Sequence, residues 1–456
     1  MVFSSLLFLF WFMPAALLLY YVTPARWRNL ILLISSLVFY SWGEVRYFPI
    51  MMASIIVDYV ASLLIEHNRG RRWVCRGGLI LSMVFNLGML GFFKYAGFFA
   101  ESFNALTGLA IPVISVTLPL GISFYTFQTM SYTIDVYRNK VKAETNIIDF
   151  GAFVVLFPQL IAGPIVRYTD VARELKSRRL NLDQISNGVR TFILGSKVLI
   201  ANNIGALWTE VEASGFSTIS MPLAWLAMLA FSLQIYFDFS GYSLMAIGLG
   251  RMLGFEFPTN FNFPYISKSM TEFWRRWHMT LGSWFREYLY IPLGGNRRGS
   301  LRTFVNLLIV WFATGLWHGA SWNFVLWGLY FFVLLLLEKS FLLPLLNRSP
   351  LLSRIYALPL LVISWTIFAI TDFSRLGLYF SRMFSFAGGS DWIYALRNYG
   401  ITFLLGFLFA TPLLKPLFVK LEKSRVAALV MYGTVLLISI AYLVDATYNP
   451  FLYFRF

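Results

Sequence analysis

The chain has 456 residues, of which 58% are hydrophobic and only 13% are charged, and its formal net charge is +16. A soluble domain averages about 45–50% apolar and about 25% charged residues, so this composition excludes a single soluble core. Nucleic-acid binding is not expected from the positive charge, because the basic residues cluster in short segments between apolar stretches. Many stretches supply the roughly 20 apolar residues that one helical crossing of a bilayer needs. The sequence therefore predicts an all-α, polytopic integral membrane protein embedded in the lipid bilayer.

The two ends of the chain predict the orientation. Residues 3–22 are apolar and lack a small-residue cleavage site, which predicts a first spanning helix and not a removed signal peptide. Arg26 and Arg28 follow directly, and short basic loops mark the cytoplasmic side, so the N-terminus is predicted to lie outside. A basic segment at 415–425 precedes the last apolar stretch, 426–444, which places the C-terminus outside as well. Two ends on one side require an odd number of crossings, which we expect to be about eleven, apart from re-entrant segments.

Within one membrane-embedded domain, the composition changes along the chain. Residues 1–110 are plain hydrophobic spans, 111–323 contain apolar segments broken by Pro, Gly and polar residues, and 324–456 return to spans before an aromatic tail. Irregular backbone at membrane depth is tolerated only where protein or a water-filled cavity satisfies it, so the catalytic core is expected in the middle stretch. Residues 267–302 are too polar to span, and apolar positions at helical spacing within 271–281 predict an amphipathic helix at the interface or in a cavity.

His318 is the strongest candidate for a catalytic residue. A span that starts near Arg302 would place His318 roughly 22–24 Å along its axis, deep in the bilayer. An ionisable group at that depth suggests function, although a neutral histidine that bridges two helices by hydrogen bonds is the structural alternative. A buried neutral imidazole suits a general base that takes a proton from a hydroxyl attacking an acyl carbonyl.

The remaining ionisable residues leave alternatives open. His278 lies among arginines on the amphipathic helix and is either functional or simply solvated. Asp238, inside an apolar span, needs a partner such as Arg251 or a group of backbone donors, and it serves either structure or function. His67 in a basic loop is expected to have no role. One cysteine and three histidines exclude an internal disulfide and a Cys/His metal cluster, so no metal is expected.

Two further groups could handle the substrate. Arg275 and Arg276, with the basic pair at 297–298, could bind the phosphates of a carrier such as coenzyme A, since guanidinium groups suit phosphate geometry. Anchoring of the cytoplasmic side explains the same residues. The aromatic tail at 449–456 is an interfacial belt, or else a hydroxyl-bearing segment that folds back and takes the acyl group for a moment.

The sequence resembles a known family over essentially its whole length. It is similar to the membrane-bound O-acyltransferases, and specifically to the bacterial membrane subunits of alginate O-acetyltransferase. The motifs that carry the resemblance are LPLGISFYTFQ at 118–128, QLIAGP at 159–164, FDFSGYS at 237–243, FWRRWH at 273–278 and WHGASWN at 317–323.

The resemblance implies a tunnel through the protein, with His318 as the essential histidine and His278 as a second functional position nearer the cytoplasmic mouth. A thioester donor, expected to be acetyl-CoA, would enter from the cytoplasm, with no permanently bound cofactor. The terminal Phe-x-Tyr-x-x-Phe pattern implies Tyr453 as a transient acyl acceptor. A separate extracytoplasmic transferase of the SGNH type, with a serine nucleophile, would then modify an envelope polysaccharide outside the bacterial inner membrane. The residues expected to bind substrate are Gln128, Asp238, Arg275, Arg276, Trp317 and Asn323.

The acceptor stays open at this stage. The alginate branch usually has an acidic residue where this chain has Leu244, which leaves the polymer undetermined. Peptidoglycan O-acetylation and D-alanylation of teichoic acid from a carrier protein are alternatives within the same enzyme class. A transporter or flippase for a lipid-linked glycan would also use broken helices, but it should show repeat symmetry between halves, and the sequence shows none. Asn323 and backbone groups are candidates for stabilising the oxyanion.

Overall fold

The computed structural model describes residues 2–113, 116–161, 163–445 and 452, and within those ranges it contains helices and no β-strand. This confirms the predicted all-α class. The chain divides into two compact units, the first comprising Met1–Phe192 with Ser243–Pro258 and the second comprising Ile193–Tyr242 with Thr259–Phe456. The subdivision into 1–110, 111–323 and 324–456 stays a prediction.

The α-helices fall into two groups by the unit in which they begin. Those that begin in the first unit are α1 (Met13–Val22), α2 (Arg28–Glu44), α3 (Phe48–His67), α4 (Arg72–Leu90), α5 (Ala96–Thr107), α6 (Ile122–Tyr137), α7 (Ile147–Val155), α8 (Phe157–Leu160), α9 (Tyr168–Lys176) and α10 (Leu182–Leu194). Those that begin in the second are α11 (Val198–Ala213), α12 (Met221–Met252), α13 (Met270–Arg276), α14 (Met279–Phe285), α15 (Ser300–His318), α16 (Trp322–Leu337), α17 (Leu343–Leu346), α18 (Pro350–Ala369), α19 (Phe373–Phe384), α20 (Asp391–Phe409), α21 (Lys415–Glu422) and α22 (Arg425–Asp445).

Short irregular helical segments connect these helices. The π-helical segments are Phe8–Phe12, Gly91–Tyr95, Arg286–Tyr290 and Glu338–Leu342. The 3₁₀ turns are Ala25–Trp27, Val45–Tyr47, Gly195–Lys197, Pro264–Ile266 and Pro412–Leu414.

In the described part of the chain, 7 helical segments are long and apolar enough to cross a membrane, or up to 8 if a helix pair bent by 71° is one span. They are Ala25–His67, Arg72–Thr107, Met221–Met252, Ser300–His318, Trp322–Leu346, Pro350–Ala369 and Arg425–Val444, and the bent pair is Asp391–Phe409 with Pro412–Glu422. The predicted polytopic character is therefore confirmed, while the number eleven is not. The first predicted span corresponds to a shorter apolar helix, Phe8–Val22.

Inside the first unit, a polar cluster joins three helices. The carboxylate of Asp58 on α3 is fully buried and accepts hydrogen bonds from Ser82 and Asn86 on α4 and from Thr133 on α6. A buried carboxylate without such donors would be strongly destabilising, and three donors from two neighbouring helices satisfy it. The cluster therefore fixes how these helices pack.

In the second unit, α15 and α16 pack closely because glycines meet at their crossing. A Cβ added at Gly315 would collide with the carbonyl oxygen of Phe324, and one added at Gly328 would collide with the carbonyl oxygen of Trp311. Small residues at such a contact let two helix backbones approach closely. This close packing stabilises the helix pair in a membrane, where the hydrophobic effect does not drive helices together. This contact fixes the end of α15, where His318 lies.

The polar segment predicted at 267–302 forms only short helices as far as residue 299, none of which could span a bilayer, and α15 begins at Ser300. The structure differs from the predicted continuous amphipathic helix over 271–281, because α13 ends at Arg276 and α14 begins at Met279. His278 between them has φ 44° and ψ 52°, in the left-handed region that a residue with a side chain rarely adopts. The periodicity of Trp274, Trp277 and Leu281 therefore reflects burial of a broken segment and not one interfacial helix.

Candidate active site

His318 is the last residue of α15 and lies buried among aromatic rings. Its ring centroid is 4.8 Å from that of Trp327, 5.0 Å from that of Trp317 and 5.7 Å from that of Phe368. Its Nδ1 atom lies 2.8 Å from the carbonyl oxygen of Thr314, one turn earlier. Because a carbonyl only accepts, Nδ1 carries the hydrogen, and in the neutral form of this imidazole Nε2 carries the lone pair. This is the form that a general base requires.

His278 is fully buried in the break between α13 and α14. Its ring lies edge-on to Phe239 of α12, with the centroids 4.7 Å apart, and its Nδ1 atom is 3.2 Å from Oδ1 of Asn260. The prediction left open whether this residue is solvated, and burial removes that alternative. Burial also holds the pKa of His278 well below its usual range, and the neighbouring His318 acts in the same direction.

The two histidines both contact the ring of Trp317. The Trp317 ring is 5.8 Å from that of His278 and 5.0 Å from that of His318, between ring centroids. The resemblance implied that both histidines are functional, and the structure brings them into one aromatic cluster of the second unit. The cluster is built from aromatic rings, and burial there disfavours the charged form of His278.

Asn323 is the second residue of α16 and is fully buried. Its amide nitrogen donates to the carbonyl oxygens of Ile367 and Phe368, at 3.1 Å each. These two acceptors lie at the end of α18, so the amide joins α16 to α18 beside the ring of Phe368, which contacts His318. Both of its N–H groups are engaged, which leaves its Oδ1 as the atom for a further contact.

Asp238 lies in the middle of α12 and is almost fully buried. One carboxylate oxygen accepts the backbone N–H of Leu452 at 2.8 Å, whereas Arg251 pairs with Glu256 at 3.1 Å. Of the two partners considered from sequence, a backbone donor is thus the one present, and it comes from the aromatic tail. Tyr453, the predicted acyl acceptor, follows Leu452 but lies outside the described residues.

The remaining predicted site residues differ in their surroundings. Arg275 is exposed, while Arg276 pairs with Glu272 at 2.9 Å and donates to the carbonyl oxygen of Asn262 at 3.1 Å. Gln128 belongs to the first unit, where its amide is fully buried and has no hydrogen-bond partner among the described residues. The described residues contain no group of three or more His, Cys, Asp or Glu that could hold a metal ion.

Two residues that the sequence analysis did not consider support the site. Asn260 contacts His278 directly, and the buried carboxylate of Glu338 accepts the backbone N–H groups of Met270 and Thr271 at the start of α13, at 2.6 and 2.8 Å. A carboxylate at a helix N-terminus satisfies donors that have no partner within the helix. The one feature of the sequence that could have pointed to Glu338 is that it is a single acidic residue at the end of an otherwise apolar stretch.

Known proteins resemble this chain over most of its length. A sequence model of MBOAT, the membrane-bound O-acyltransferase family, matches residues 141–381. The probable alginate O-acetylase AlgI of Azotobacter vinelandii is 43% identical over 86% of this chain and 79% of that protein. The protein of the same name from Pseudomonas putida is 38% identical over 100% of both chains. The peptidoglycan O-acetyltransferase of Helicobacter pylori is 36% identical over 75% of this chain and 71% of that protein.

The fold and the site define a helical membrane enzyme whose core holds two buried imidazoles, an arrangement suited to acyl transfer. The chain belongs to the membrane-bound O-acyltransferase family and is an O-acyltransferase. The resemblance identified from the motifs, including the one to the alginate branch, is confirmed.

Proposed function

We propose that the chain moves an acetyl group from a cytoplasmic thioester, acetyl-CoA, across the inner membrane of a bacterium for O-acetylation of an extracytoplasmic polysaccharide. The observation that carries this proposal is the buried imidazole of His318, held by the Thr314 carbonyl with Nε2 as the basic atom. The names of the alginate relatives supply the acetyl group and the class of acceptor.

The first chemical step is a transfer from sulfur to oxygen. His318 Nε2 takes the proton of a hydroxyl as that oxygen attacks the thioester carbonyl, and the carbon–sulfur bond of the tetrahedral intermediate then breaks. The proton passes from the imidazolium to the leaving thiolate, which gives free coenzyme A, an acetyl ester and a neutral histidine. No metal and no redox cofactor enters this balance. Exposed Arg275 is suited to the phosphates of the carrier.

The attacking hydroxyl in this scheme is that of Tyr453. Its support is the hydrogen bond from the backbone N–H of Leu452 to the buried carboxylate of Asp238, because Tyr453 is the next residue in the chain. Asp238 precedes Phe239, whose ring contacts His278. The acetyl ester would then pass to the serine of a separate extracytoplasmic transferase, which acetylates the polymer.

The test measures the amount of polymer-bound acetate in cells that express the wild type, His318→Ala or Tyr453→Phe at equal membrane levels. We expect both variants to lose acetate. His67→Ala is a matched control, because His67 Nδ1 also lies near the carbonyl one turn earlier, Leu63 at 2.9 Å, but its ring is exposed. If Tyr453→Phe acetylates normally, the tail is only an anchor. Normal acetylation by His318→Ala would overturn the proposed base.

Peptidoglycan is a second candidate acceptor, favoured by the similarity to the Helicobacter pylori enzyme. Alkali-released acetate measured separately in purified peptidoglycan and in exported polysaccharide distinguishes the two. Acetate that depends on His318 in the peptidoglycan fraction alone would replace the polysaccharide as acceptor and leave the chemical step unchanged.

A further inference from the structure

Asn260 is an almost fully buried asparagine in the loop that follows α12, and it holds the turn at His278 through both backbone and side chain. Its backbone carbonyl accepts the N–H of Met279 at 2.9 Å. Its Oδ1 atom lies 3.3 Å from the backbone nitrogen and 2.9 Å from the hydroxyl of Thr280, and 3.2 Å from Nδ1 of His278. Four contacts from one residue therefore converge on three consecutive residues, 278–280.

These contacts fix which way the Asn260 amide points. A backbone N–H can only donate, so the atom that faces the nitrogen of Thr280 must be the amide oxygen; a flipped amide would set two donors against each other. An amide oxygen can only accept, and the Nδ1 atom of His278 must therefore be the donor in their contact. His278 is then the Nδ1–H tautomer, with its lone pair on Nε2.

The Nε2 atom is the informative part of the ring. It is buried and has no hydrogen-bond partner among the described residues. A buried acceptor without a donor costs free energy, and the few such groups in folded proteins are found at strained sites, at catalytic atoms and where water or an ion binds. The left-handed backbone at His278 is a second cost, and it is met by the hydrogen bonds from 279 and 280 to Asn260.

We propose that Asn260 is a positioning residue that holds His278 as the Nδ1–H tautomer, so that Nε2 accepts a hydrogen bond from an N–H, O–H or S–H group of the bound substrate. This assigns His278 the role of an acceptor for the substrate, with its ring and that of His318 both in contact with Trp317. This assignment rests on the proposed function: the donor group on acetyl-CoA is the amide N–H of its pantetheine arm that lies two methylene groups from the thioester sulfur. Asn260 itself touches no substrate and acts through the imidazole.

The first test is ¹⁵N NMR of histidine-labelled protein in lipid bilayers. The chain has only 3 histidines, so His67→Gln and His318→Gln assign the signals of His278 by elimination. We expect Nδ1 of His278 to be protonated and Nε2 to be unprotonated. In Asn260→Asp the carboxylate should stabilise the imidazolium, so that both nitrogens become protonated at neutral pH. A wild-type His278 with the hydrogen on Nε2 would overturn the proposal.

Asn306→Leu provides the matched control for Asn260→Leu. Asn306 is also fully buried in the second unit, and its amide donates to the carbonyl oxygen of Gly295 at 2.8 Å. Asn260→Leu should disturb the tautomer of His278, whereas Asn306→Leu should leave it unchanged. Identical His278 spectra in the wild type and Asn260→Leu would show that Asn260 does not set the tautomer, and the proposal would be wrong.

The functional readout is acetyl transfer in inverted membrane vesicles with acetyl-CoA as the donor. We expect Asn260→Leu to raise the KM for acetyl-CoA at least tenfold, with a smaller change in kcat, and Asn306→Leu to change neither. An unchanged KM in Asn260→Leu would remove the substrate contact from the proposal. A protein that transfers no acetyl group but shows the Nδ1–H tautomer, lost in Asn260→Leu, would overturn the proposed function and leave the role of Asn260 intact.

Discussion

The carboxylate of Glu338 accepts the backbone N–H of Met270 at 2.6 Å. The same carboxylate accepts the N–H and the hydroxyl of Thr271, at 2.8 and 2.6 Å, so the end of α16 caps the first turn of α13. Since α13 ends 2 residues before His278, this cap positions the segment that carries the second histidine.

Glu338→Gln should therefore weaken the site without abolishing membrane insertion. A glutamine offers one oxygen in place of two, which leaves a buried donor at the start of α13 unpaired at a cost of about 1–3 kcal/mol. We expect a loss of acetyl transfer of about tenfold, in keeping with that cost, and a lower unfolding temperature in detergent. Lys339→Gln, at the exposed neighbouring position, should behave as the wild type. Equal activity in the two variants would show that the cap is dispensable.

The glycine contact between α15 and α16 makes a second prediction. Gly315→Ala forces a methyl group against the Phe324 carbonyl, and overpacking of this kind costs about 1–3 kcal/mol. We expect a lower unfolding temperature together with reduced activity, because His318 lies at the end of α15. Gly433→Ala on α22 is the control, since a Cβ there meets no atom within 4 Å, and its unfolding temperature should not fall. A fully stable and active Gly315→Ala would mean that the two helices separate without consequence for His318.

Part of the site could be predicted from the sequence, and the physical reason is the cost of a polar group in an apolar span. His318 and Asp238 both stand out in this way, and both are buried in the second unit. The class of fold follows from the same argument, since apolar length alone defines a crossing. The number of crossings cannot be derived from apolar length in the same way, because a helix such as α6 falls below the length and apolarity that identify a span.

The supporting residues could not be predicted in this way. Asn260 lies 18 residues before His278 in an irregular loop, where no periodicity relates the two. The amphipathic pattern over 271–281 predicted a continuous helix. The helix is interrupted at His278, where Asn260 contacts residues 278 and 280, and the spacing of the apolar residues does not reveal such a contact with a distant side chain. The contact between Leu452 and Asp238 spans 214 residues, and only the folded chain brings them together.

The predicted orientation can be tested with single cysteines. After Cys75→Ser, which removes the one native thiol, Arg298→Cys and Ser385→Cys each introduce an exposed thiol. Three candidate spans, Ser300–His318, Trp322–Leu346 and Pro350–Ala369, separate the two positions, so they should lie on opposite sides. Basic residues around 298 favour the cytoplasm. We expect an impermeant maleimide to label Ser385→Cys in intact spheroplasts and Arg298→Cys only after lysis, with Cys75→Ser unlabelled. Labelling of both from one side would contradict this orientation.

The contact between Asp238 and Leu452 makes the last prediction, which concerns the tail. A hydrogen bond to a buried carboxylate contributes about 1.5–3 kcal/mol, so its loss should release Leu452 from α12. Leu452→Pro removes the donating N–H and keeps an apolar side chain, whereas Leu452→Ala keeps the N–H. We expect Asp238→Ala and Leu452→Pro to lower polymer-bound acetate at least tenfold at unchanged membrane levels, and Leu452→Ala to retain most of it.

Two further variants separate this contact from general destabilisation. Asp238→Asn retains an oxygen that can accept the N–H of Leu452, so it should acetylate better than Asp238→Ala. Asp391→Ala also removes a carboxylate that accepts a backbone N–H, that of Ser220 at 2.9 Å, but this carboxylate lies at the start of α20. It should therefore leave acetylation near the wild-type level. If Asp391→Ala and Asp238→Ala lose acetate equally, or if Leu452→Pro acetylates normally, the hydrogen bond to the tail has no part in the transfer.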